Sequence, residues 1–594
     1  MPLELILQTL KEWFSHIIVI DYEYKQLAGD NPKPVSCVMK DLVTGKTTKQ
    51  WLAGKKQKFP YSIPDSLFIC HYAVAEVSCM IALGLGKPKH IFDTFVEEKK
   101  MMNGLIKIGF GLLDTCERYG VKGLMSDDKK EFWRNHIINN YPNYTAEDQE
   151  GILKYNEEDV ITTEKLFYKQ LETLTKKETD LKKIISQAIF HGRSMGVCAQ
   201  IEHNGIPVDW KLYEDFNKYF PKIKELEIEE INKSCNVYDG DTFSHEKFAK
   251  FIEREGLAER WPKTPTGRFK TDSRTFYRFQ HIPKIFDLKN AIFIIGARKL
   301  KGYQLGEDKR SRTSLHPFGQ ITGRTNASPA ESPFGAPRMI RTIIHPDSDS
   351  IEVYCDYGAQ EAAVMAFLSG DPKMLIAVKS GDPYLHTAKF VKALPAAATK
   401  KSHPDIREKF KTSYLALAYK QTPYGLSAKL GIPFYQAAHI HGNISRAFNH
   451  YNDWITGIIN NSTLRGYFIT KYGWRYNLSN EKNNPKRLAN WPVQSCGSEI
   501  LRMAMIAVDE AGFEISMCVH DALLVHMPRK NCAANIRKLK KIMQDAAGKV
   551  IDFKIPVDTK IIRKHFDQEN EHKLKWEMLY KKYLTAKECT DNGQ

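Results

Sequence analysis

The chain has 594 residues, with 87 Lys and Arg against 70 Asp and Glu, a formal charge of +17. Apolar residues at 42% and charged residues at 26% exclude wholesale disorder and collagen-like repeats, and no stretch approaches the ~20 apolar residues of a membrane span. Single cores stop growing at roughly 250–300 residues, so several domains are expected. The N-terminus, MPLELILQTLKEW, lacks the basic start and cleavage site of a signal peptide, so a cytoplasmic protein is expected. The 11 cysteines are scattered without a CxxC pair, against a zinc ribbon or a disulfide framework. The positive excess points to a polyanion partner.

In chain order, HIIVIDYEY (16–24) reads as a buried strand ending in acids, and SLFICHYAV (66–74) as a second strand. Helical patterns follow around EVSCMIALGLG and EEDVITTEKLFYKQLETL, then near ETDLKKIISQAIF and WKLYEDFNKYFPKIKELEIEEINK. KTPTGRFKTDSRTF (263–276) reads as loop-rich. Asp21 and Glu23 share one face of their strand, where like charges favour a hard cation such as Mg²⁺ or Mn²⁺ between them. Glu76 and Asp93 add acids downstream. Tyr155 and Asp159, four apart on a helix, reach one site.

In that order and spacing, DYE, HYAVAE and YNEED resemble the DEDD-type 3′–5′ proofreading exonucleases with a tyrosine in the third motif, over about residues 14–175. The resemblance implies a ribonuclease H-like α/β domain over 1–178. In it Asp21, Glu23, Glu76 and Asp159 hold two metals and Tyr155 orients the attacking water. Tyr72 and Glu76 stand where the family usually has Asn and Asp. The extra methylene of Glu76 moves its carboxylate by over an ångström, on the scale of a C–C bond. Weakened proofreading is therefore a possible outcome of the departure.

Further on, Asp356 ends the strand SIEVYCD, and Asp521 sits at the tip of the hairpin ISMCVHDALLVHM beside His520. Carboxylates on neighbouring strand ends can clamp two Mg²⁺ ions about 3.5–4 Å apart for in-line phosphoryl transfer. Between them, Pro404 and Asp405 suit a helix start. Arg407, Lys411, Leu415 and Tyr419 then track one helix face, cations first and an aromatic last. That face suits a triphosphate at one end and a base at the other; an ordinary amphipathic helix has the same pattern.

Together these segments resemble family A DNA polymerases, over roughly residues 180–594. The matching segments are ITGRTN (321–326), DYGAQEAAVMAFLSGDP (356–372), GDPYLHTA (381–388), the R-x3-K-x3-L-x3-Y series, RLANWPVQS (487–495) and VHDA (519–522), with IEHNGIPVD (201–209) at the thumb entry. The resemblance implies an α+β right hand: thumb and connecting region 179–310, first part of the palm 311–400, fingers 401–486, second part of the palm 487–594. It implies that Asp356 and Asp521, with the Tyr357 carbonyl, bind two Mg²⁺ ions (Mn²⁺ being an alternative). Arg407, Lys411 and His386 would contact the phosphates of the incoming dNTP, beside Leu415 and Tyr419. Glu361 would be the steric gate against a 2′-OH. Arg324, Asn490, Gln494 and His520 would touch the primer-template near its terminus, where minor-groove acceptors are nearly sequence-independent.

Three departures matter. Ala522 stands where the hairpin motif usually carries a third carboxylate. Leu415 replaces the usual Phe or Tyr, from which strong discrimination against dideoxynucleotides is expected. SPAESPFGAPRMIR (328–341) lacks the family's usual QNIP. The resemblance implies a DNA polymerase with attached proofreading, laid out without a 5′-nuclease domain as in phage replicases. A 3′–5′ exonuclease whose C-terminal half only binds nucleic acid is the alternative; for it, losing Asp356 changes nothing catalytic. Lys309, Arg310 and Arg312 are expected on the duplex-binding face, and affinity for primer-template should fall steeply with salt.

Overall fold

A computed structural model of the chain describes residues 2–105, 109–122, 126–297, 303–329, 331–335, 338–478, 484–567 and 570–591. Ala330, Ala336 and Pro337, in the stretch lacking QNIP, lie outside the described residues. The chain divides into two compact units, one of residues 1–205, 314–327 and 349–561 and one of 206–313, 328–348 and 562–594.

The first unit begins with a mixed sheet of β1 (His16–Lys25), β2 (Lys33–Asp41), β3 (Thr47–Trp51), β4 (Ser66–Cys70) and β5 (His90–Asp93), in the order β3-β2-β1-β4-β5. β1, β2 and β3 pair antiparallel, while β4 runs parallel to β1 and β5 parallel to β4. The unbroken run Ile17–Ile20 suits a strand covered on both faces, and all four side chains are buried. Helices Ala146–Lys177 and Leu181–Asn204 supply Val160, Phe167, Leu171 and Ile184 to the core formed with Ile17, Val19, Leu67, Ile69 and Phe92. The first of these helices is set by a capping box: the Asp148 N–H donates to Thr145 Oγ1 (3.1 Å) and the Thr145 N–H to the Asp148 carboxylate (2.9 Å). Pairing of β1 with β4 ends at Val19–Ile69, so Asp21 and Glu23 lie beyond the carboxyl end of the parallel strands. Open sheets of this kind leave a crevice there.

The same unit holds a four-stranded sheet ordered Glu514–Val519, Ala522–Pro528, Ser350–Tyr357, Val557–Ile562. The hairpin read from the sequence is present, with His520 and Asp521 as its two-residue turn and His520 at φ +55°. The 26-residue helix Pro485–Glu510 packs on Cys532–Ile551 and on Gln360–Ser369. Helices Pro404–Ala418, Pro423–Leu430, Phe434–Ala447 and Asn449–Arg465 make a separate helical layer, joined partly through Ala416, Leu426 and Ala437.

In the second unit, helix Trp210–Ser234 leads into a core rich in aromatics, including Phe248, Trp261, Phe276 and Phe279. The C-terminal helix Asn570–Asp591 packs along Trp210–Ser234. Phe216 and Tyr583 approach to 4.6 Å between ring centroids, and Lys587 pairs with Asp215 at 2.7 Å. The division differs from the expected boundaries in three places, one being that 311–313 and 328–348, read with the first part of the palm, group with the second unit. Residues 562–594 pack with the helices read as thumb and not with the second part of the palm, while 179–205 group with the first unit. The reason is aromatic stacking and charge pairing between segments more than 300 residues apart in sequence. All 11 cysteines are free thiols, and among the described residues no helix is long and apolar enough to cross a membrane.

Candidate active sites

Asp356 ends its strand directly opposite Ala522, which brings it beside Asp521 in the hairpin turn. The Tyr357 N–H points at the Asp521 carbonyl, 3.4 Å away, and the Tyr357 hydroxyl is anchored on the Met543 carbonyl at 2.5 Å. Burial, and then the facing Asp521 carboxylate, push the Asp356 carboxyl up to about 7. Its Oδ1 is buried and accepts no hydrogen bond.

The residues expected around the nucleotide converge from four segments. Gln494 Nε2 donates to Glu361 Oε1 and approaches the Tyr419 hydroxyl at 3.4 Å; Arg324 lies 4.0 Å from Glu361, and Asn490 hydrogen-bonds Tyr419. The Nε of Arg324 and the Oδ1 of Asn490 are buried without partners. The ITGR segment that carries Arg324 is held to helix Pro485–Glu510: Trp491 donates to the Ile321 carbonyl (2.9 Å), Ser498 to Thr322 (2.8 Å) and Arg502 to Gly323 (2.7 Å). Gly323 is at φ +77°, and a Cβ there would meet the Trp474 indole at 3.0 Å, so only glycine fits. His520 and Arg324 both line a small cavity beside that segment.

On helix Pro404–Ala418, Arg407 is held by Asp382, Nε to Oδ2 at 2.5 Å, and lies 5.5 Å from the Tyr384 ring. Asp382 also caps the helix Pro383–Phe390, which carries His386 and packs on Pro404–Ala418. Lys411 is 3.5 Å from Glu408, and its charge favours the ionised form of Asp356. Leu415 is half-buried one turn before Tyr419.

At the N-terminal sheet, carboxylate oxygens of Asp21 and Glu23 on β1 and of Asp159 on helix Ala146–Lys177 all lie within 4.8 Å of one another. Burial raises all three carboxyls above the ordinary range, reinforced at Asp21 by Asp159 and at Glu23 by Asp21. The Oδ2 of Asp21 is buried and unpartnered. Glu76 is adjacent but differently engaged: its Oε2 accepts the Tyr22 N–H at 2.8 Å, an amide that β4 is too short to satisfy. Asp93 is the N-cap of Thr94–Met102 and accepts from the amides of Tyr72, Ala73, Phe95 and Val96, so its role is structural. Tyr72 adopts a left-handed conformation and stacks edge-on against Phe95.

A family model described as DNA polymerase family A matches residues 227–566, more than half of the chain. The chain belongs to DNA polymerase family A. It is 25% identical to the thermostable DNA polymerase I of Thermus aquaticus over 268 residues, 42% of this chain and 32% of that protein. Against DNA polymerase I of Aquifex aeolicus it is 24% identical over 478 residues, 72% of this chain and 80% of the relative. Against the DNA polymerase of Mycobacterium phage D29 it is 25% identical over 249 residues, 41% and 40% of the two chains. It thus spans about a third of the length of the Thermus relative. A solved structure described as the POL domain of Pol1 from M. smegmatis, in complex with DNA primer-template and dNTP, shares the fold. Its TM-score is 0.70 at 17% identity, over 94% of this chain and 97% of that one.

Polymerases of this family use divalent metal ions, and the residues here fit such ions at two places. Each place offers clustered hard oxygen donors and one orphaned buried carboxylate oxygen, Asp356 Oδ1 or Asp21 Oδ2. A consequence for pH follows from Asp356. Its carboxyl titrates near 7, well above an ordinary Asp, so at pH 6 it is mostly protonated, and a bound cation has to displace that proton. The Mg²⁺ needed for half-maximal primer extension should therefore rise by about tenfold per pH unit below 7 and level off above it. Titrating Mg²⁺ at pH 6, 7 and 8 checks this; a flat series would contradict it.

One sequence expectation is corrected. Arg312 does not face outward for DNA: it is buried and clamps Asp308 through two bonds of 2.8 and 2.7 Å. A guanidinium fork matches a carboxylate well, and an acid four residues away in the same hairpin satisfies it first. Lys309, at the turn, lies over the Trp210 ring. Sequence reasoning also passed over three residues. Lys130 and Arg134 lie one turn apart on helix Asp127–Asn140. Lys130 is buried with its ammonium on Asp159, and Arg134 hydrogen-bonds Tyr155. Their i, i+4 spacing was the available signal. Asp558, beside Asp356, had none.

Proposed function

We propose that this chain is a template-directed DNA polymerase that adds deoxynucleotides to a primer 3′-OH, with a 3′–5′ proofreading nuclease in its N-terminal sheet. The observation that carries the polymerase reading is the apposition of Asp356 and Asp521 at strand ends, with Asp356 Oδ1 unpartnered. Asp356 and Asp521, with the Tyr357 carbonyl, hold divalent ions, Mg²⁺ by preference with Mn²⁺ as substitute. When bound, such ions lower the pKa of an attacking hydroxyl and neutralise a triphosphate. Arg407, kept in place by Asp382, and Lys411 with His386 bind the triphosphate. Leu415 and Tyr419 flank the base and sugar.

Glu361 is fixed from two sides by Gln494 and Arg324, which suits a rigid gate that crowds a 2′-OH. Glu361→Ala should raise incorporation of ribonucleotides relative to deoxyribonucleotides by about 10- to 100-fold, the scale on which small steric differences discriminate. Competing rNTP and dNTP in single-turnover extension checks it. Arg324, Asn490, Gln494 and His520 contact the primer-template terminus; two of them carry buried atoms that have no partner among the described residues.

For the nuclease, a sheet ordered β3-β2-β1-β4-β5 is what a ribonuclease H-like domain has, and Asp21, Glu23 and Asp159 make the acidic site. Glu76 supports β1 through Tyr22, and Tyr155, held by Arg134, orients the attacking water. Similarity to a phage D29 DNA polymerase supports a role in replicating a phage genome. The experiment is a 5′-labelled primer on a template with Mg²⁺. Extension with dNTPs and shortening without them is the expected pair. An exonuclease with a binding-only C-terminal half would show shortening alone.

A further inference from the structure

Ala522 leaves the hairpin motif one carboxylate short, its methyl fully buried and opposite Asp356 in the sheet. The structure supplies an acid from elsewhere. The edge strand Val557–Ile562 lies on the other side of Ser350–Tyr357 from the hairpin. The Gly358 N–H donates to the Pro556 carbonyl at 2.8 Å, two residues after Asp356 and two before Asp558. Asp558 Oδ2 comes within 3.7 Å of where a Cβ on Gly358 would stand, so its carboxylate leans over the glycine that follows the metal-site strand. Asp558 is exposed, and among the described residues its side chain has no hydrogen-bond or ion-pair partner.

We propose that Asp558 is a positioning residue of the polymerase metal site, supplying from the edge strand the third carboxylate that Ala522 cannot. Asp521 stands beside Asp356 from the hairpin turn, and Asp558 acts on the same carboxylate from the edge strand, where Lys411 is a cation acting on it. That leaves a surplus of negative charge suited to divalent ions. Mg²⁺ keeps several of its waters when protein-bound, and an exposed carboxylate beside the direct ligands holds such a water in place. Because Asp558 is exposed, replacing it removes this charge without opening a core.

The role rests on the polymerase reading, so its test includes a measurement that does not need extension. In the full chain carrying Asp21→Asn and Glu23→Gln, which silences the N-terminal acidic site, Mn²⁺ binding is followed by electron paramagnetic resonance with a 3′-deoxy-terminated primer-template and dNTP. Asp558→Asn should weaken that binding, and raise the Mg²⁺ needed for half-maximal extension, by about 10-fold or more, the usual effect of losing such a supporting carboxylate. Asp558→Glu should restore most of both, and thermal unfolding should not change. Unchanged Mn²⁺ binding and an unchanged Mg²⁺ midpoint in Asp558→Asn would overturn the assignment. If the parent chain binds Mn²⁺ but does not extend primers, the polymerase reading fails, and the Mn²⁺ comparison still decides the role of Asp558.

Discussion

Asp521→Asn should lower primer extension by about 10³-fold or more, because a bound metal ion contributes several kcal/mol to the transition state and each 1.36 kcal/mol is about tenfold in rate. Asparagine has nearly the shape of aspartate, and the contact from Tyr357 goes to the backbone carbonyl of residue 521, so the turn survives the exchange. What changes is charge. The facing carboxylate that helps keep Asp356 protonated disappears, and Asp356 titrates closer to the ordinary range. One direct carboxylate ligand remains where two were needed, so recovering a normal Asp356 does not recover activity. Shortening of the same primer without dNTPs should proceed at the parent rate, since Asp21 and Glu23 lie on a different sheet and Asp159 on a helix packed against it. Loss of both activities would mean that the two acidic groups do not act independently.

Where the sequence was informative, a physical pattern lay within a few neighbouring residues. The run Ile17–Ile20 is long enough to force a buried strand, the alternating apolar residues of SIEVYC mark a second, and the acids Asp21 and Asp356 stand near their ends. The hairpin was equally visible, because two apolar arms flank a two-residue polar tip. Asp93 was legible in a way that its reading as a further site acid ignored: an Asp immediately before a helical run is an N-cap signature, and four amides now occupy it. Arg312 misled for the opposite reason. A basic cluster looks solvated until an acid in the same turn is seen to reach back. Lys130 sits in DDKKEFWRNH, which has the composition of an exposed helix start, and its burial depends on the distant Asp159. Asp558 is further still from Asp356 in sequence, and the alternation in VDTKII does not say which strand its edge will join.

Asp21→Asn should abolish shortening, by about 10³-fold on the same reasoning, and leave extension at the parent rate. The choice of residue matters. Asp159 holds the buried Lys130 ammonium, and removing one partner of a buried pair costs about 3–5 kcal/mol of stability, so an Asp159 variant would confuse unfolding with lost chemistry. Glu76 is tied to the Tyr22 amide and would disturb β1 if changed. Asp21 has neither duty: its Oδ2 has no partner, and burial beside other acids already holds its carboxyl above the ordinary range. A neutral amide there relieves repulsion, so Asp21→Asn should be at least as stable as the parent in thermal unfolding while losing the nuclease. That combination, more stable and inactive, is what a site built for cations predicts. If the variant still shortens primers at the parent rate, Lys130 and Arg134 are structural counter-ions for a buried acidic cluster, and the N-terminal sheet is not a nuclease.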